Sequence, residues 1–275
     1  MHVLYIDIET LGLDLKIHDI TVIGTIQKTV TAAEHSDILE RNSKKLKYTN
    51  VTNTNSEVIH TSDKSVNKKT EYKDIVEKCY NVCVARENGT EKAMKTEVLH
   101  LLESSQVIVA FNGISFDVPF LLKWLEREDL LADITNKTLD FCDIGHIVIK
   151  QRIKLNTMCT HNGITESKYA CGKVAITWAI EKNWKELEYY CMQDVVLMCK
   201  LTERAVDNGL VLIRQCRNRM SANKSDEYTR VIVNFDSDWL PDVKAQRGKN
   251  TTSSALNIDP RIVEEIYEID TSFLR

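Results

Sequence analysis

His2-Val3-Leu4-Tyr5-Ile6-Asp7-Ile8-Glu9 is apolar at nearly every step and is broken, near its end, by two carboxylates two residues apart. Successive side chains of a β-strand point to opposite faces, so apolar residues at consecutive positions predict a strand covered on both sides. Asp7 and Glu9 then share the face that carries Val3 and Tyr5, with Cα atoms roughly 7 Å apart. Burial and mutual repulsion both oppose their ionisation, and such a pair needs protons, a cationic partner or a metal ion. The competing reading is a pair of solvated carboxylates at a sheet edge.

Outward from this strand, the residues around Gly12 and Asp14 form a short turn, and Asp19 to Gln27 reads as a second strand, giving a hairpin. From Lys28 to about Lys73 the chain turns polar, with one short β-like segment at Val58 to His60, and reads as a long irregular insertion. Helical spacing is expected through Ile75 to Cys83 and Ala93 to Leu102. The compact apolar run Val107 to Phe111 fits a buried strand. A helix over Val118 to Arg127 tolerates Pro119 in its first turn. Leu139 to Cys142 is expected to be an edge strand. Helical pieces follow at Ile144 to Lys150 and Val174 to Ile180, then a long helix from Trp184 to Val206, and a terminal helix over Pro260 to Ile269. A hairpin followed by strand–helix units predicts an α/β layer fold on a mixed sheet. The expected organisation is a domain over 1–212 and an extension over 213–275, where a partner protein could dock.

The chain has 275 residues, 43% apolar residues and a net charge of −4, which suits one sizeable globular domain and argues against a protein that coats nucleic acid by charge alone. Lys150, Arg152, Lys154, Lys168 and Lys173 nevertheless gather in one stretch, either as a rim for a nucleic acid strand or as an ordinary solvated surface. No apolar run is long enough to cross a membrane, and strand-like sequence begins within two residues of Met1. A soluble, intracellular protein of cytoplasm or nucleus is therefore expected, with no membrane partner. The eight cysteines show no CxxC spacing; Cys79 and Cys83 fall one turn apart in the expected helix, and buried free thiols are the expectation.

Two further acids stand at telling positions. Leu187, Tyr190, Cys191, Asp194, Met198 and Leu201 form one stripe of the long helix, so Asp194 interrupts a core-facing surface and Tyr190 lies one turn before it. Alternatively, Tyr190 is a core aromatic and Asp194 a paired charge. Asp117, directly before a helix, suits an N-cap as well as a metal ligand. Oxygen ligands drawn from a strand end, a strand–helix junction and a packed helix are what a magnesium or manganese pair requires.

The segments Tyr5-Ile-Asp7-Ile-Glu9-Thr10, Phe111-Asn112-Gly-Ile-Ser-Phe116-Asp117-Val-Pro119 and Tyr190-Cys-Met-Gln-Asp194 resemble, in order and spacing, the three exonuclease motifs of the DEDD superfamily of 3′→5′ exonucleases. Leu139-Asp140 and the stretch Lys168 to Trp178 also resemble what lies between those motifs in proofreading domains of family B DNA polymerases, and the likeness covers about residues 1 to 206. Superfamily members with a histidine base place it five residues before the last aspartate, where this chain has Tyr189. Tyr190, four before, matches the tyrosine (DEDDy) subclass. The resemblance implies a ribonuclease H-like fold, a five-stranded mixed sheet flanked by helices. It implies two divalent ions, Mg2+ or Mn2+: Asp7, Glu9 and Asp194 would hold one, and Asp7 and Asp117 the second. Tyr190 would orient the attacking water, and Thr10, Leu11, Asn112 and Phe116 would seat the terminal nucleotide.

The implied substrate is the 3′ end of a single-stranded nucleic acid, DNA ahead of RNA, with nucleoside 5′-monophosphates as products. Three other readings stay open: an RNA-trimming or deadenylating enzyme, a catalytically silent nucleic-acid-binding module, and an endonuclease of the wider ribonuclease H-like group.

Overall fold

The computed structural model describes residues 2–29, 73–166, 172–216, 227–233 and 266–267. The β-like segment at Val58 to His60, nearly all of the polar insertion, and Lys168 lie outside them. Five strands form the main sheet: β1 (His2–Thr10), β2 (Ile20–Thr29), β3 (Lys73–Asn81), β4 (Val107–Ala110) and β5 (Thr138–Asp140), in the order β3-β2-β1-β4-β5. β1 pairs antiparallel with β2 and parallel with β4, β2 pairs antiparallel with β3, and β4 runs parallel to β5. This is the expected five-stranded mixed sheet, with β5 at one edge as anticipated.

The helices are α1 (Val82–Glu87), α2 (Glu91–Ser104), α3 (Asp117–Leu125), α4 (Leu131–Asn136), α5 (Phe141–Ile149), α6 (Leu155–His161), α7 (Gly172–Ile180) and α8 (Trp184–Asn208). They cover both faces. On one face, Leu4, Ile6 and Ile8 of β1 join Val98 and Leu102 of α2 and Val118 and Leu121 of α3. On the other, Val3 and Tyr5 join Val195, Met198 and Leu201 of α8. The alternation read from β1 therefore sorts its side chains as expected, and it sends Asp7 and Glu9 toward α8.

Two expectations are corrected. Ile75 to Cys83 is not a helix: β3 occupies Lys73–Asn81, and only Val82 onward is helical, so Cys79 lies on a strand and Cys83 on α1. β3 is an edge strand whose outer half, Asp74 to Lys78, is exposed, so burial imposes no alternation on it, and the apolar Ile75 and Val76 could be fitted to a helical period. Near the C-terminus, Ile266–Tyr267 is a short strand, β8, not part of a helix. It pairs with β7 (Glu227–Val233), which pairs with β6 (Leu210–Cys216) in a separate three-stranded sheet. β6 starts within the main core through Leu210 and Leu212, and the buried Asn162 side chain pairs with both the N–H and the carbonyl of Val211, at 2.8 and 2.9 Å. The thiols of Cys79, Cys83, Cys142, Cys159, Cys191 and Cys199 are free.

Candidate active site

The site is built where β1 outruns its parallel neighbour. β1 pairs with β4 only from Val3 to Tyr5, and β4 ends at Ala110, so the last residues of β1 have a strand partner on the β2 side alone. There Asp7 faces Gly24 and Glu9 faces Val22 in the β1–β2 register. Gly24 decides how closely α8 can lie: a Cβ at this position would stand 3.0 Å from Cys191 Sγ and from Val195 Cγ2. The missing side chain lets α8 settle against the strand pair directly opposite Asp7.

That approach brings Asp194 to the strand carboxylates. Asp7, Glu9 and Asp194 each offer an oxygen, and all three oxygens lie within 4.8 Å of one another. Asp194 is buried, Asp7 and Glu9 partly so. Acidic oxygens this close suit a hard divalent cation, which takes oxygen ligands at about 2.0–2.6 Å. Cys191, on the same stripe of α8 as Asp194, reaches the edge of the group. Its thiol donates to the Asp7 carbonyl at 3.5 Å and to Asp7 Oδ2 at 3.7 Å. Burial pushes this thiol well above its ordinary range, so it stays protonated and acts as a donor beside the carboxylates.

Asp117 arrives from the opposite face of the sheet. It is the first residue of α3, not its N-cap, which is Phe116. Its carboxylate reaches past the end of β4, where Oδ1 accepts the Ile8 N–H at 3.1 Å. Burial, then the nearby Asp140, and more weakly Asp194, push its carboxyl up to about 7. A metal ion beside it would oppose that shift, because a fixed positive charge favours the carboxylate.

Tyr190 is buried and clusters with Val22, the cross-strand partner of Glu9, and its ring meets Trp178 edge-on at 6.1 Å. It therefore stands on the carboxylate side of the sheet, whereas Tyr189 is half exposed. The four residues expected to seat a nucleotide are placed differently from one another. The Thr10 hydroxyl is buried and donates to the Gly12 carbonyl at 2.5 Å, so it ties the turn after β1. Leu11 next to it is exposed. Phe116 is partly buried, its ring centroid 4.7 Å from that of Phe120. Asn112 is partly exposed with φ of 64°, and its Oδ1 accepts a hydrogen bond from Arg152 Nη2. Of the basic stretch, Lys150, Arg152, Lys154 and Lys173 are exposed, and Arg152 is the one joined to a residue of this turn.

Three residues escaped assignment from sequence. Gly24 shows its use only once its strand partner and the helix above it are known. Gly113 packs so tightly under the end of β4 that a Cβ would come within 2.3 Å of Ala110 Cβ. Asp140 accepts hydrogen bonds from Asn112 N at 2.8 Å and Ile114 N at 3.0 Å; the sequence offered it only within the expected edge strand and in the resemblance of Leu139-Asp140, whereas it caps the helix that begins at Phe141.

The chain belongs to the RNase H superfamily, whose pattern matches residues 69–206, half of the chain. No curated protein matched the sequence. Among solved structures it is similar to the family B DNA polymerase of the hyperthermophilic archaeon Pyrobaculum calidifontis, at 12% identity and a TM-score of 0.46, over 75% of this chain and 24% of that one. It is also similar to E. coli exonuclease I in complex with a 5cy-dA13 oligonucleotide, at 10% identity and a TM-score of 0.38, over 74% of this chain and 40% of that one. A metal-free E. coli exonuclease I–single-stranded DNA complex matches at 12% identity and a TM-score of 0.35, over 69% of this chain and 41% of that one. The chain thus spans well under half the length of these structures. Among the described residues, no helix is long and apolar enough to cross a membrane.

Proposed function

We propose that this chain is a metal-dependent 3′→5′ exonuclease of the DEDDy type, acting on the free end of single-stranded nucleic acid, DNA ahead of RNA. The observation that carries the reading is the convergence of Asp7, Glu9 and Asp194 within 4.8 Å, in a superfamily of this fold and in three motifs of the expected order. The exonuclease domain spans about residues 1–212, followed by an extension over 213–275 that offers a surface for a protein partner.

Asp7, Glu9 and Asp194 would hold one divalent ion, Mg2+ or Mn2+, and Asp7 with Asp117 a second. Such ions, when bound, neutralise the scissile phosphate and lower the pKa of water. The protein's residues supply the geometry. Tyr190 orients the water whose oxygen attacks the terminal phosphorus in line with the bond to be cut. A free phenol titrates near ~10 and is a poor proton acceptor, so its task is alignment. As the water oxygen bonds to phosphorus the P–O3′ bond breaks; the proton the water loses passes to solvent, the penultimate nucleotide's 3′ oxygen takes one from solvent, and a nucleoside 5′-monophosphate leaves. Leu11, Asn112 and Phe116 seat the terminal nucleotide, Thr10 holds the turn beneath it, and Arg152 brings positive charge to the rim.

The test is digestion of single-stranded oligonucleotides of DNA and of RNA, each with a free or a blocked 3′ end, with metal supplied and withheld. Mononucleotides released from free 3′ ends only when metal is present support the reading. Binding without release in both magnesium and manganese overturns it, and cleavage of a circular strand replaces it with an endonuclease.

A further inference from the structure

Asp140 is fully buried, sits at the end of β5, and takes no part in the chemistry proposed above. Its two oxygens accept from four backbone amides. Oδ1 takes Asn112 N at 2.8 Å, Cys142 N at 2.9 Å and Asp143 N at 3.4 Å, and Oδ2 takes Ile114 N at 3.0 Å. The bonds to Cys142 and Asp143 are local and cap α5, as an aspartate before a helix ordinarily does. Those to Asn112 and Ile114 reach back 28 and 26 residues, to the turn between β4 and α3. One side chain thus fastens two helix entrances at once.

The distant half of this bonding lies on the route to the site. Asn112 is held in the left-handed region, a conformation with a cost for a residue bearing a side chain, and it persists only where its surroundings fix it. The next residue, Gly113, accepts the Val118 N–H at 2.8 Å, which couples the turn to the first turn of α3. Asp117 stands in that first turn, with its carboxylate on the Ile8 amide. The position of the turn therefore sets both where Asn112 meets Arg152 and where Asp117 meets β1.

Resting on the exonuclease reading, we propose that Asp140 is a positioning residue: by holding the amides of Asn112 and Ile114 it aims Asn112 at the terminal nucleotide and Asp117 at the metal pair, while itself touching neither nucleotide nor metal. Partners that orient metal-binding side chains change affinity or activity by about 10–100-fold when removed.

Two substitutions separate this role from simple capping, because asparagine and serine both cap helices well. Asp140→Asn keeps one oxygen for the Oδ1 amides but sets an NH2 against the Ile114 N–H. Asp140→Ser caps α5 and is too short to reach the turn. Thermal unfolding in EDTA reads the cap, while the magnesium concentration for half-maximal mononucleotide release and the KM for a single-stranded DNA oligonucleotide read the turn. Both variants should melt below wild type, because turn amides lose an acceptor, yet stay folded at the assay temperature; half-activating magnesium and KM should rise about 10–100-fold, and excess magnesium should restore much of kcat. Wild-type magnesium activation and KM in both variants would overturn the proposal and leave Asp140 as a cap. Activity that merely follows the folded fraction in both would do the same. A wild-type protein that releases no mononucleotide in any metal instead removes the exonuclease reading, and this proposal with it.

Discussion

Replacing Asp117 by asparagine should stabilise the metal-free protein at alkaline pH while destroying its response to metal. The Asp117 carboxyl is raised from 3.8 to about 7, chiefly because it is buried, with Asp140 and then Asp194 adding to the shift. Between those values the folded protein keeps a proton that the unfolded chain has released, so stability is complete below the unfolded value and falls as pH rises through the folded one. Roughly three pKa units at ~1.36 kcal/mol each amount to about 4 kcal/mol at pH 8, of which about 2–3 kcal/mol is lost between pH 5 and pH 8. Asparagine keeps an oxygen for the Ile8 amide but cannot ionise, so the variant should lack this part of the slope. At about 2–4 °C per kcal/mol, the wild-type midpoint in EDTA should drop by roughly 5–10 °C more than the variant's between those pH values. Circular dichroism melts of both proteins at the two pH values measure the difference. Equal pH slopes, or a variant less stable than wild type at pH 8, would refute the reasoning. Saturating magnesium should narrow the gap, since a ligand at 100 times its Kd stabilises by about 2.7 kcal/mol and the variant would lack one of the proposed ligand groups.

Asp194→Asn and Asp7→Ala should each abolish mononucleotide release and leave the metal-free melting temperature unchanged or higher, because each removes a charge from a crowded group; melts in EDTA alongside the digestion decide this. Tyr190→Phe preserves the ring against Trp178 and should slow cleavage by about 10²-fold without ending it, so full activity in single-turnover assays would remove the phenol from the mechanism. Gly24→Ala forces a methyl against Cys191 and Val195, and should cost about 1–3 kcal/mol in urea unfolding and lower kcat by lifting Asp194 from Asp7. Unchanged kcat in that variant would show that α8 need not lie so close.

The part of this site legible in sequence is the part that breaks a local rule. Asp7 and Glu9 violate an apolar strand, and Asp194 violates an apolar helical stripe, so each stands out within a few residues of its own neighbours. The same logic gave the strand, the long helix and the α/β layers. Asp117 was visible but ambiguous, since an acid at a helix start breaks no rule; only the Ile8 amide, 109 residues away, distinguishes it from a cap. The tasks of Gly24 and Asp140 were illegible for the same reason: one acts through a cross-strand register, the other through bonds to a turn that precedes it by more than 25 residues. β3 failed differently. An edge strand with an exposed outer half has little buried surface to write a period of two into its sequence, and two exposed apolar residues were enough to suggest a helix.

The geometry also explains how an acid from the far layer reaches β1. Asp7, Glu9 and Asp194 lie on the α8 face of the sheet, while Asp117 belongs to a helix on the other. A sheet normally separates its two faces, and a continued β4 would claim the Ile8 amide and close the passage. β4 instead stops at Ala110, Asn112 turns into the left-handed region, and Gly113 admits a turn too tight for a Cβ. Asp117 then occupies the hydrogen-bonding position that a longer strand would have filled. The early end of one strand is thus the structural condition for bringing the Asp117 carboxylate from the far layer to β1, and the Asp140 clamp acts on the turn that produces it.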